Sequence, residues 1–287
     1  MNEKRGSTLI DIQHVSYSYP IQQGQRGEVQ RVRALNDISL SILQGEYAAV
    51  LGHNGSGKST LARQCNALLL PDEGRILVDG LDTRERSHWR AIRETVGMIF
   101  QNPDNQIIAT VVEDDVAWAL TVRGLPAPLI RERVEEAMQA VGIAYLRGRA
   151  PNTLSGGQRQ RLAIAGVLAL RPRCIIADEA TAQLDPLSRQ EIVHLLHTLH
   201  ERFGLTILHV THLLEEAALA RRILVMEHGA IVMDGAPEDI FADLQRLRDL
   251  KLIIPEPIEL ASRLRRSGIP IAPGALAVES LARELMP

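Results

Sequence analysis

Hydrophobic and polar positions along the chain switch between two periods, and the switches predict its elements. From Thr8 to Tyr19 apolar and polar side chains alternate, Ile10, Ile12 and Val15 among them, as in a half-buried strand. Pro20 to Arg31 is rich in Gln, Gly and charge and predicts a loop between hairpin strands. Ile38 to Ile42 alternates again, and Gln44-Gly45-Glu46 is a turn feeding the continuous apolar run Tyr47-Ala48-Ala49-Val50-Leu51, a buried strand. An antiparallel β unit is therefore expected first. Leu61 to Asn66 predicts a helix, Arg75 to Gly80 a short strand closed by glycine, and Val96 to Phe100 another strand that stops at Gln101-Asn102-Pro103.

Beyond that point apolar residues recur at spacings of three and four, in Val111 to Val122 and Ile130 to Val141, which predicts an inserted helical unit over about 102–153. A helix follows Leu154-Ser155-Gly156-Gly157-Gln158 and runs to about Leu170. Then come a strand at Cys174 to Ala177, a helix from Leu187 to Arg202, and a strand from Leu205 to Val210. A helix around Glu215 to Ala220, strands Ile223 to Met226 and Ala230 to Met233, and a short helix from Pro237 complete the main body. Strands that alternate with helices imply a mainly parallel sheet. The expected architecture is an α/β domain over 1–242, followed by a small helical appendage over 243–287 that Pro255, Pro257, Pro270 and Pro273 interrupt.

Composition narrows this picture in two places. With 32 basic and 35 acidic residues among 287, the net charge of −3 gives no support for a nucleic-acid partner. The two cysteines, Cys65 and Cys174, fall in helical or apolar segments and suit reduced, buried thiols and a cytoplasmic setting. No run approaches the roughly 20 apolar residues that cross a bilayer, and Met1 to Arg5 leads into no apolar signal core. A membrane role would need a partner to hold the chain there.

The chemistry starts at Gly52-His53-Asn54-Gly55-Ser56-Gly57-Lys58-Ser59-Thr60, between a strand and a helix start. The G-x-x-x-x-G-K-S pattern is a phosphate cradle: glycines let successive backbone N–H groups turn inward, and the helix N-terminus adds free donors and a favourable dipole. Lys58 would reach the β- and γ-phosphates and Ser59 would ligate Mg²⁺. The same scheme needs a carboxylate at the end of a neighbouring buried strand, which Asp178 supplies for the metal; Glu179 stands where a base would orient an attacking water.

Leu154-Ser155-Gly156-Gly157-Gln158, set between the P-loop and that acidic strand, resembles the signature of ATP-binding-cassette ATPases. The resemblance implies that Ser155, Gly156, Gly157 and Gln158 bind the γ-phosphate of ATP held by a partner's P-loop. A helix start bearing a hydroxyl and bare N–H groups suits that task. It further implies that Tyr19, with Tyr17 as a competitor, stacks on adenine. Gln101 would ligate Mg²⁺ and sense a transmembrane partner, His212 would hydrogen-bond the γ-phosphate, and Asp185 would connect the two sites of a dimer. Ala182 and Gln183 depart from the family's usual serine and alanine, so their contacts stay open.

The strings Phe100 to Gln106, Thr110 to Ala117 and Leu162 to Ala169, with the tail from Leu250 to Arg265, are similar to the energy-coupling-factor transporter ATPases, and in particular to the first of their two ATPase subunits. That resemblance covers nearly the whole chain. It implies ATP as substrate, Mg²⁺ as cofactor, and a tail that serves dimerisation. The implied partners are a second ATPase of the same group (or a second copy of this chain), a transmembrane coupling protein and a substrate-binding membrane subunit. The implied task is uptake of a vitamin or transition-metal ion, worked from the cytoplasmic face of the membrane. Asp104, Glu113, Asp114 and Asp115 would meet basic coupling helices or form a solvated face. The rival readings are a soluble cassette protein acting on ribosomes or nucleic acid, disfavoured by a single cassette with a modest helical insert, and an ATP-binding regulator with little turnover.

Overall fold

The computed structural model describes residues 6–23, 28–271 and 281–283. The first five residues, the middle of the expected loop (24–27) and much of the expected tail (272–280 and 284–287, Pro273 included) lie outside the described residues. Strands β1 (Thr8–Gln23) and β2 (Glu28–Leu43) pair antiparallel, and the ladder runs from Thr8↔Leu43 out to Gln23↔Glu28. The loop expected over Pro20 to Arg31 is thus largely strand. β4 (Glu73–Val78) pairs with β1 only as far as Ser16, so Pro20 lies where β1 has a neighbour, β2, on one side only, a setting in which strand prolines are found. With the two-residue β5 (Leu81–Asp82) these strands form an antiparallel sheet of order β2-β1-β4-β5.

The second sheet carries the site. Its strands are β3 (Tyr47–Leu51), β6 (Val96–Ile99), β7 (Cys174–Asp178), β8 (Thr206–Thr211), β9 (Arg222–Glu227) and β10 (Ala230–Gly235), in the order β10-β9-β3-β8-β7-β6. Every neighbouring pair is parallel except β9 with β10. β3 is buried on both faces, which is why it reads as an unbroken apolar run. Tyr47, Ala49 and Leu51 join one core, shared with the helices, while Ala48 and Val50 join the other, between the two sheets.

Helices α1 (Lys58–Cys65), α3 (Val112–Val122), α4 (Ala127–Ala140), α5 (Gly156–Leu168) and α6 (Pro186–Phe203) lie close to their predicted positions. Sequence periodicity missed α2 (Trp89–Thr95), whose only buried residue is Ile92, too little to make an apolar stripe. Three short helices follow β8 and β10: α7 (Leu214–Ala217), α8 (Pro237–Ile240) and α9 (Leu244–Asp249). α7 stops at Ala217, short of the predicted Ala220. α10 (Glu256–Arg266) is amphipathic, burying Ile258 and Ala261.

Because β3, β6, β7 and β8 are parallel neighbours in one sheet, their C-terminal ends share one edge. Gly52, Gln101, Glu179 and His212 each follow one of those ends within two residues. Open α/β sheets place ligand sites at this edge.

Candidate nucleotide site

The loop between β3 and α1 has two glycines in the left-handed region, Gly55 with φ of 84° and Gly57 with φ of 106°. Gly52 is needed for space instead: a Cβ there would stand 2.5 Å from the Met226 carbonyl oxygen. Lys58 opens α1, and its Nζ donates to the carbonyl oxygens of Gly52 at 2.9 Å and His53 at 3.1 Å, which lays the ammonium across the loop. Burial lowers the Lys58 pKa, opposed by the carboxylates of Glu179 and Asp178. Ser56 Oγ is buried with no hydrogen-bond partner among the described residues, while Asn54 and Gly55 are exposed at the loop's tip. His53 turns its Nδ1 to the Asn54 carbonyl at 2.7 Å.

Ser59 and Asp178 are brought together, Ser59 Oγ donating to Asp178 Oδ1 at 2.6 Å. Asp178 ends β7 and is 3% exposed; burial raises its pKa, opposed by the Ser59 hydroxyl and the Arg63 charge. The other carboxylate oxygen has Arg63 Nε at 3.9 Å. A hydroxyl and a buried carboxylate side by side form a pair of hard oxygen donors, the set that Mg²⁺ takes.

Glu179 has a φ of 49°, sparsely populated for a residue with a side chain, and its N–H donates to the Val210 carbonyl of β8 at 3.0 Å. The left-handed turn swings its carboxylate out of the strand direction. Oε1 then stands 3.5 Å from Lys58 Nζ and 3.9 Å from His212 Nδ1, a ring nitrogen that is buried and makes no hydrogen bond among the described residues. Lys58, Ser59, Asp178, Glu179 and His212 thus form one cluster.

Tyr19 also belongs near it, since its hydroxyl hydrogen-bonds Thr60 Oγ1 at 3.2 Å. Tyr17 instead packs on the core between the sheets and meets the Tyr19 ring edge-on, centroids 4.9 Å apart. Gln101 is exposed in the loop after β6, without a side-chain hydrogen bond among the described residues.

Ser155 and its neighbours stand apart. Ser155 and Gln158 make a reciprocal capping box at the start of α5: the Ser155 hydroxyl accepts from Gln158 N–H at 3.3 Å and Gln158 Oε1 from Ser155 N–H at 2.9 Å. Gly156 and Gly157 lie over the start of α6, where a Cβ on Gly157 would come 2.9 Å from Ser188 Oγ. Asp185 caps α6, accepting from the N–H groups of Leu187 at 3.1 Å and Ser188 at 3.0 Å, and the Ser188 bonds lead in holding its pKa below the ordinary value. Among the described residues no hydrogen bond or ion pair joins Ser155–Gln158 to the P-loop cluster.

Three of the four acidic residues after β6 are engaged within the chain. Asp104 pairs with Arg159 at 3.2 Å, Glu113 stands 3.7 Å from Arg147, and Asp115 accepts from the N–H groups of Ile108 and Ala109. Gln106, which closes the Phe100–Gln106 string without a role assigned from sequence, accepts from Phe100 N–H at 2.8 Å and donates to the Met98 carbonyl at 3.0 Å through its amide, pinning the loop that carries Gln101. Sequence reasoning passed over Glu216, an acid at an ordinary helical position that is 4% exposed and carries no motif signal.

The sequence matches the ABC transporter family over residues 35–182. It is 48% identical to the energy-coupling factor transporter ATP-binding protein EcfA1 of Symbiobacterium thermophilum, covering 94% of each chain. Its identity to the protein of that name from Clostridium novyi is 46%, covering 99% of each. Among solved structures it resembles CbiO1 of Clostridium perfringens, part of the ABC transporter complex CbiONQ, with TM-score 0.74, 35% identity, and coverage of 88% of this chain and 98% of that one. It also resembles an ATP-binding cassette solved as a dimer in a post-hydrolysis state bound to ADP and Pi, with TM-score 0.70, 29% identity, and coverage of 79% and 98%. With relatives matched along nearly its whole length and a candidate nucleotide site at the expected sheet edge, the chain belongs to the ABC transporter family, among its energy-coupling factor transporter ATP-binding proteins.

Proposed function

We propose that this ATPase works as half of a pair, two ATP molecules being held between the P-loop of one protomer and the Ser155–Gln158 helix start of the other. The observation that carries this is the split of the site. Lys58, Ser59, Asp178, Glu179 and His212 converge at one sheet edge, whereas Ser155 is satisfied locally at the head of α5. A cavity of about 580 Å³ in the chain lies elsewhere, between α4, α5 and α6, and the P-loop tip stays open to solvent. A second wall has to come from outside the chain.

In this reading the backbone donors of Gly55 to Thr60 and the Lys58 ammonium bind the phosphates, with Tyr19 against the base. Ser59, Asp178 and Gln101 would hold Mg²⁺, which when bound neutralises phosphate charge. Glu179 orients the attacking water and accepts its proton, and His212 steadies the γ-phosphate and the Glu179 carboxylate. Ser155 and Gly157 of the partner close the far side, and Asp185 passes the state of one site to the other. Closure of the pair drives a transmembrane coupling protein, and hydrolysis reopens it.

The second protomer is another ATPase of the same group or a second copy of this chain, and the tail over 243–287 extends their contact. The task is uptake of a vitamin or transition-metal ion recognised by a separate membrane subunit. No helix among the described residues is long and apolar enough to cross a membrane, which fits a peripheral position at the cytoplasmic face. The relatives' transporter names favour this over a soluble cassette acting on ribosomes or nucleic acid.

The test is Glu179→Gln. Turnover should fall by about 10²–10⁴-fold while ATP binding persists and the closed pair accumulates on a sizing column. Hydrolysis at the parent rate would remove Glu179 from this role.

A further inference from the structure

Behind the cluster lies a second, buried group of polar side chains to which the reading above gives no task. Its centre is Glu216 on α7. Glu216 Oε1 accepts from the Thr181 hydroxyl at 2.6 Å and Oε2 from the Thr211 hydroxyl at 2.6 Å, with His209 Nε2 at 3.3 Å from Oε2 and Arg189 Nε at 3.9 Å from Oε1. Thr181, Thr211 and His209 are each no more than 2% exposed. Burial alone would push the Glu216 carboxyl up, but the donors from His209, Thr181 and Thr211 outweigh it and hold the pKa below the ordinary value. It is therefore a buried anion surrounded by donors, an arrangement costly to leave half-satisfied.

Each of these neighbours leads to a different part of the nucleotide site. Thr181 follows Glu179 by two residues, in the turn where Ala182 N–H donates to the Glu179 carbonyl at 3.0 Å. Thr211 immediately precedes His212, and its hydroxyl also accepts from Leu213 N–H at 3.1 Å, so the His212 peptide is tied on both sides. Arg189 lies in the first turns of α6, whose cap is Asp185. His209 continues the chain of contacts to the P-loop strand, its Nδ1 sharing a hydrogen bond with the Tyr47 hydroxyl at 3.2 Å.

We propose that Glu216 is a positioning residue for hydrolysis: through Thr181 and Thr211 its carboxylate sets the spacing of Glu179 and His212 without touching the nucleotide. The inference rests on the assignment of Glu179 and His212 above. A turn with Glu179 at a φ of 49° needs outside support, and Thr181 is where that support is applied. Since misplacing a reacting group by about 1 Å costs on the order of a hundredfold in rate, modest loosening here reaches kcat before it reaches binding.

The test uses the full-length chain in its paired, ATP-hydrolysing form. Glu216→Gln keeps the shape and removes the charge, Thr181→Val keeps the shape and removes the hydroxyl, and Thr181→Ser restores it. Glu216→Gln and Thr181→Val should each lower kcat by about tenfold or more with KM for ATP within about twofold, and Thr181→Ser should return kcat to the parent value. Parent kcat in Glu216→Gln overturns the proposal. So does a joint fall of kcat and thermal midpoint that Thr181→Ser fails to correct, since that outcome is structural. Glu179→Gln is run alongside: if it too hydrolyses at the parent rate, the assignment of Glu179 fails first, and if it alone is inactive, only the role of Glu216 falls.

Discussion

The Lys58 ammonium and the Glu179 carboxylate stand 3.5 Å apart, delivered from the head of α1 and from the turn after β7. Both are largely withdrawn from solvent. Burial lowers the Lys58 pKa, and Glu179 works against that. Without the carboxylate the ammonium gives up its proton at still lower pH. Phosphate binding needs the protonated form, so affinity for a non-hydrolysable ATP analogue should begin to weaken at a lower alkaline pH in Glu179→Gln than in the parent. Titrations of Kd from neutral to alkaline pH check this, and superimposed curves refute it.

Asp178 is held for chemistry at the expense of stability. Its proton is bound more tightly in the folded chain than in the unfolded one, because burial raises the pKa. Ionised Asp178 therefore costs stability; the cost is absent below the ordinary carboxylate pKa of about 4 and complete once pH exceeds the raised folded value. Asp178→Asn should thus melt at a higher temperature than the parent at neutral pH in chelator, the gap should close as pH falls, and ATPase activity should be lost. A lower midpoint for the variant at neutral pH contradicts this sign.

Two glycines of the same loop should respond differently to alanine. Gly57 combines a φ of 106° with a Cβ position 2.5 Å from the Ala34 carbonyl oxygen, whereas Gly55, at φ of 84°, has open space around its Cβ position. Gly55→Ala should cost about 1–2 kcal/mol, the left-handed penalty alone. Gly57→Ala adds a backbone clash, so its thermal midpoint and nucleotide affinity should both drop well below those of Gly55→Ala. Thermal melts and nucleotide titrations of the two variants decide it.

Ser155→Ala separates local from partner duties. Losing the hydroxyl that caps α5 should cost about 1 kcal/mol. If Ser155 serves only that cap, Ser155→Asp, which keeps a capping acceptor, restores both stability and kcat. In the composite site stability returns and kcat does not, because a carboxylate repels the partner's γ-phosphate. ATP affinity of the unpaired chain should match the parent in both variants.

Most of the frame was legible because its strands are buried on both faces and bounded by glycine or polar turns, as in Tyr47–Leu51 and Cys174–Asp178. The cradle was legible because its chemistry demands fixed residue types at fixed spacing. Three things were not. The outer half of the β1–β2 hairpin is polar and glycine-flanked, so only the partner strand reveals it as strand. α2 buries too few side chains to show a period. Glu216 looks like any helical acid, because its burial and its Thr181 donor, 35 residues away, appear only on folding, and nothing in the sequence says that the nearby His209 and Thr211 at the end of β8 turn toward it. The different surroundings of Tyr17 and Tyr19 were likewise a tertiary matter: the Tyr19 hydroxyl reaches Thr60, while Tyr17 packs on the core between the sheets.

The turn at His228-Gly229 bears on stiffness. Gly229 N–H donates to the Ser56 carbonyl of the P-loop at 2.9 Å, and its own carbonyl accepts from Asn36 N–H of β2 at 2.8 Å. A Cβ on Gly229 would meet the Ala34 carbonyl oxygen at 2.7 Å, and one on Gly57 would meet that same oxygen. Loop, turn and hairpin are riveted face to face with no slack for a methyl group. A tilt of the four-stranded sheet against the six-stranded one must then deform the phosphate loop. Torque applied to either sheet would reach a nucleotide held in this loop as strain, along a path through Ser56, Gly57 and Gly229.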